Sequence, residues 1–173
     1  GTSSWGSKIS YNNSIDIGKK LYFMGLNYFD TAPTYGGGYS HYILNKLALK
    51  NKVMIDTKYG QLVSLSFKEI SKRIYRFINF SSFKKSFETI SYKTDQRNLK
   101  DFWNIKNIDK HFDSCKENLK NYEINTFYLH NPPFGILNKS YLEELNDLMK
   151  SKNVILGISG IDMNDLDLII NNF

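Results

Sequence analysis

Phe29-Asp-Thr-Ala-Pro-Thr-Tyr-Gly36 closes a short apolar run with a carboxylate and passes at once into a Pro- and Gly-marked loop. The same grammar recurs in Asp56-Thr-Lys-Tyr-Gly60, in Phe127-Tyr-Leu-His-Asn-Pro132 and in Val154-Ile-Leu-Gly-Ile-Ser159. Each is a β-like run of a few residues that ends in a polar side chain and a turn signal. Helical patterns lie between them. Ile17, Leu21 and Met24 share one face of a helix predicted over 14–24 and stopped by Gly25; Ser40 is placed as the N-cap of a helix through Ile43, Leu44 and Leu47. Residues 108–122, with Phe112, Cys115 and Leu119 on one face, and residues 141–150 read as two more. Asp162 is placed as the cap of a last helix carrying Leu166, Ile169 and Ile170. Strands alternating with helices predict an α/β fold with a parallel sheet.

Working outward, Asn27–Asp30, Lys52–Thr57, Asn125–Leu129 and Val154–Ile158 are the strands, and Gly1–Trp5 is read as the tail of an opening one. That makes about five parallel strands with outer helices. From Asp30 to Lys58 and from His130 to Ser159 the spacing is about one strand–helix unit, whereas Lys58 to His130 spans more than two. Residues 61–100 hold no β-branched run but do carry Phe67, Ile70, Ile74 and Phe77 at helical spacing, so they read as an inserted segment. That segment has nine basic and three acidic residues, while the rest of the chain has fourteen of each. The whole net charge of +6 therefore belongs to it, and a solvated lid is favoured over a nucleic-acid surface.

With 173 residues, 41% of them hydrophobic, the chain suits one domain and excludes fibrous or disordered classes. Its apolar runs fall well short of the roughly 20 residues of a membrane span. Cys115 is the sole cysteine, which excludes a disulfide framework and a Cys-based metal site and favours a reducing cytoplasm. His41 and His111 fall on helical stretches and are read as surface residues.

In a parallel barrel, strand ends and the loops after them gather on one face, where sites form. Asp30, Tyr35, Lys58 and His130 all stand at such positions. A phenol is a poor proton donor at neutral pH unless a cation stands near, as Lys58 would, with Asp30 holding the ammonium. His130 would hydrogen-bond a substrate oxygen. The set suits protonation of a carbonyl oxygen while another agent delivers a hydride.

These motifs, in this order and approximate spacing, resemble the aldo-keto reductases. Phe29-Asp-Thr-Ala-Pro-Thr-Tyr-Gly-Gly-Gly38, Ile55-Asp-Thr-Lys-Tyr-Gly60, Tyr128-Leu-His-Asn-Pro132 and Ile155-Leu-Gly-Ile-Ser159 carry the resemblance, and residues 61–100 lie outside it. It implies a partial (β/α)8 TIM barrel over 1–173, NADP(H) as cofactor, and reduction of a small aldehyde or ketone to an alcohol. It further implies Asp30, Tyr35, Lys58 and His130 as the catalytic tetrad with Tyr35 as general acid. Ser159, with Ser4 and Trp5, would lie against the cofactor. Gly160 stands where the family usually has Asn, His41 follows Ser40 where a Glu is common, and the family's last three strands have no counterpart, as expected of a fragment. Two other functions stay open: a barrel enzyme using Lys58 in a Schiff base, and a non-catalytic remnant binding anionic partners through 61–100.

Overall fold

The computed structural model describes residues 1–47, 49, 53–60, 99–133 and 135–160. Four parallel strands form one sheet in chain order: β1 (Tyr28–Asp30), β2 (Met54–Tyr59), β3 (Glu123–His130) and β4 (Ile155–Ser159). The helices are α1 (Tyr11–Phe23), α2 (Ser40–Leu47), the single turn α3 (Leu99–Phe102), α4 (Ile105–Asn118) and α5 (Lys139–Ser151). All described strands are parallel, and helices cover one face, as the alternating pattern predicts.

Capping explains why the helices start before the predicted residues. Ser10 Oγ accepts the Asn13 N–H, Asn104 Oδ1 accepts those of Lys106 and Asn107, and Asn138 Oδ1 accepts that of Tyr141. At the far end of α1, Leu26 N–H reaches the Leu21 carbonyl and Gly25 N–H reaches that of Tyr22. Gly25 turns the chain with φ +94°, which stops the helix where its periodicity ends.

Two expectations change here. Residues 1–5 form a turn, not a strand, although Thr2 N–H still bonds the Asp30 carbonyl at 2.9 Å. Ser40 is the first residue of α2 rather than its cap. Its hydroxyl closes a buried ring with those of Thr2 and Thr31, which fastens the chain start and α2 to the end of β1. Most of the inserted segment, 61–98, and the last helix, after 160, lie outside the described residues.

The core lies between sheet and helices. Phe29, Ile55, Tyr59, Phe127 and Leu129 meet Ile43, Leu44, Ile108, Phe112, Leu142 and Leu145 there, and Cys115 packs among them. Burying such side chains contributes roughly 1.5–3 kcal/mol each. A register shift then decides what the other face carries. Ile55 pairs with Ile124 but Asp56 with Thr126, so Asn125 is an extra residue in β3. Beyond it, Thr126, Tyr128 and His130 share a face with Asp56 and Lys58, turned away from the helices.

Candidate active site

The carboxyl ends of the strands bring together Asp30, Tyr35, Lys58 and His130. Asp30 ends β1 and Lys58 stands near the end of β2, and the Lys58 ammonium forms an ion pair with Asp30 Oδ2. A second N–H of Lys58 reaches the Thr31 carbonyl at 3.1 Å. Lys58 is only 7% exposed, whereas the Asp30 side chain is 40% exposed, so the ammonium is shielded while the carboxylate that holds it still meets solvent. Tyr35 opens a short helical turn, Tyr35–Gly38, and its ring centroid lies 5.0 Å from the Lys58 ammonium. Gly36 and Gly37 hold this turn with φ of 61° and 68°, and a Cβ at 36 would overlap the Trp5 carbonyl. Only glycine lets the Tyr35 loop press so close to the chain start.

His130 ends β3 beside this pair. Burial holds its imidazolium below the usual range, the Lys58 charge lowers it further, and Asp30 opposes them. The ring is therefore mostly neutral at pH 7, able to donate from one nitrogen and accept at the other. His130 Nδ1 has no hydrogen-bond partner among the described residues.

Ser159 pairs with His130 in register, and its Oγ is likewise buried without a partner there. A buried hydroxyl left so is costly unless a ligand group meets it. Ser4 lies on the turn at the chain start, where its carbonyl accepts the N–H groups of Ser7 and Ile9. Trp5 is a core residue: its indole meets Phe29 edge-on at 5.9 Å between centroids. The structure does not bring that ring into the cluster of strand ends.

Tyr128 was not singled out, yet the Lys58 ammonium lies 5.6 Å from its ring centroid. The sequence signal was its place two residues before His130, hence on the same strand face. Asp56, also on that face, accepts the Tyr28 hydroxyl and is buried. His41 and His111 correct the surface reading. His41 is buried with Nε2 3.1 Å from Thr57 Oγ1, and the His111 ring packs edge-on against Tyr59 at 4.8 Å. Both look inward from their helices onto β2. Among the described residues no group of His, Cys, Asp or Glu could hold a metal ion, and no helix is long and apolar enough to cross a membrane.

The sequence pattern of the aldo/keto reductase family matches residues 1–169. None of the curated proteins matches the chain. Among solved structures it is similar to a glycerol dehydrogenase from Gluconobacter oxydans, with a TM-score of 0.62 and 20% identity, over 99% of this chain and 46% of that one. The chain thus spans about half the length of that structure. At this identity the likeness speaks for fold alone, and the four parallel strands with their outer helices are part of a (β/α)8 barrel.

Proposed function

Since the chain belongs to the aldo/keto reductase family, we propose that it carries the proton-donating half of a nicotinamide-dependent carbonyl reductase. The observation that supports this best is the Asp30–Lys58 ion pair set against the Tyr35 ring, with His130 at the same strand ends. Tyr35 donates its hydroxyl proton to the oxygen of a small aldehyde or ketone as that oxygen becomes an alkoxide. The Lys58 charge offsets the negative charge left on the phenol oxygen, and Asp30 with the Thr31 carbonyl keeps the ammonium from swinging away. His130, as a neutral donor, hydrogen-bonds the substrate oxygen and fixes its approach.

A nicotinamide cofactor, NADP(H), would supply the hydride when bound. Its carboxamide carries both a donor and an acceptor, which suits the unpartnered Ser159 Oγ at the same edge. Ser4 would lie along its path. The Schiff-base alternative is disfavoured, because Lys58 is engaged as an ammonium with Asp30, and an ammonium has no lone pair to attack carbonyl carbon. Binding of anionic partners through 61–100 falls almost wholly on residues outside those described.

The test uses the full-length protein, NADPH and a generic aromatic aldehyde, followed by cofactor absorbance. Tyr35→Phe is expected to lower turnover by at least about 100-fold while cofactor fluorescence titrates as in the wild type. Full turnover by Tyr35→Phe would remove Tyr35 from the role. A covalent borohydride-trapped adduct at Lys58 would replace the reading with the Schiff-base one.

A further inference from the structure

Lys58 is held from more sides than an ion pair requires. Asp30 and the Thr31 carbonyl take two of its N–H groups, and the Tyr35 ring centroid lies 5.0 Å from the ammonium. A fourth neighbour comes from the adjacent strand, where Tyr128 pairs with Lys58 in register and places its ring centroid 5.6 Å from the ammonium. The next strand shows that this ring position is built in. Tyr128 pairs in turn with Gly157, and a Cβ at 157 would stand 2.5 Å from ring atoms Cδ1 and Cε1. The ring therefore rests on the space that the missing side chain leaves, and any residue larger than glycine would push it off.

We propose that Tyr128, seated on Gly157, is a positioning residue whose ring holds the Lys58 ammonium against the Tyr35 phenol. A ring face attracts a cation through its quadrupole, and the attraction grows where water is excluded, as it is around Lys58. The ring needs no ionisation for this. Burial, with Asp56 close by, raises the Tyr128 phenol above its usual range, and although Lys58 opposes that shift the ring stays neutral. The geometric half of the proposal stands by itself; the catalytic half rests on the proposed carbonyl reduction.

The experiment reads the two halves separately. In full-length protein carrying 13C-lysine, the Hε–Cε signal of Lys58, assigned by its loss in Lys58→Arg, is expected upfield through the ring currents of Tyr35 and Tyr128. Tyr128→Leu should move it towards the ordinary lysine position, Tyr128→Phe should leave it upfield, and Gly157→Ala should move it with Tyr128 still present. Should Tyr128→Leu not fold, Tyr128→Met gives the same reading. A Lys58 signal that stays put in Tyr128→Leu or Tyr128→Met overturns the proposal. In the reduction assay, kcat should fall by about 3- to 30-fold in Tyr128→Leu, with the carbonyl KM held, and Tyr128→Phe should recover most of it. Equal impairment of the Leu and Phe variants would mean that the hydroxyl, not the ring face, matters, and would also overturn it. A moved signal in a protein with no wild-type turnover would keep the positioning and sink the reductase reading instead.

Discussion

Gly160 shows how one residue can be fixed by its neighbour rather than by its own chemistry. It follows Ser159 with φ +70°, and a Cβ built there would overlap Oδ1 of Asn131, which itself sits at φ 53°. The Asn131 side chain thus occupies the space that a residue at 160 would need. Gly160→Ala is expected to cost about 1–3 kcal/mol, from the clash and the left-handed backbone together. Adding Asn131→Gly, which removes the side chain without straining the left-handed backbone at 131, should recover the part due to the clash, read by urea unfolding of the two variants and of Asn131→Gly alone. A Gly160→Ala protein as stable as the parent would mean that Asn131 turns aside freely. At this scale the sequence was legible at the strand ends: Asp30, Lys58 and His130, the residues proposed for the site, each close a run that β-propensity already marks. Tyr128 was not legible in the same way, because its link to Lys58 and Gly157 is a matter of register between strands distant in sequence.

Among the elements, β3 holds both faces of the sheet together. Phe127 is fully buried on the helix side, its ring meeting Phe112 edge-on at 5.3 Å, while its neighbours Tyr128 and Thr126 turn the other way. Removing that ring leaves a cavity between β3 and α4 that the parallel pairing on both sides of β3 cannot collapse to fill. Phe127→Ala should therefore destabilise the fold by about 3–5 kcal/mol, measured by chemical denaturation. Leu26, 41% exposed, is the contrasting case, and Leu26→Ala should change stability by only about 0.5 kcal/mol or less. The apolar faces of the helices could be read from spacing, since Ile108, Phe112 and Cys115 recur at one helical face and are all buried. Their starts could not, because the Asn caps lie upstream of the first apolar residue. The bulge at Asn125 was also hidden: it reverses which residues of β3 face the helices, and simple alternation gives no sign of it.

Across the whole molecule, acid has a specific way in. His41 and His111 reach from α2 and α4 onto the helix side of β2, where His41 meets Thr57 and the His111 ring packs against Tyr59, next to the main chain of Lys58. Burial lowers His41 to about 3, with the nearby His111 adding to the effect, and lowers His111 to about 4 although the Lys58 main chain opposes it. In the unfolded chain both titrate near 6.5. Between those limits the unfolded state binds more protons than the folded one, so stability is complete above about pH 6.5 and falls as pH drops towards 4. His130 is shifted in the same direction and adds to the slope. The loss should be on the order of a few kcal/mol by pH 4.5, at about 1.4 kcal/mol per unit of pKa difference. Urea midpoints at pH 7.5, 6.0 and 5.0 would follow it. In His41→Gln with His111→Gln, where the amides can still hydrogen-bond but no longer titrate, the slope should shrink to what His130 and the carboxylates leave. Because His111 packs on Tyr59, next in chain to Lys58, its protonation also places a charge behind the strand that carries the ammonium facing Tyr35. The Lys58 lysine signal should therefore shift with His111 as the pH falls, and should stop doing so in His111→Gln. An unchanged pH slope in the double variant would mean that these two imidazoles are reached by water in the folded state, and that acid enters elsewhere.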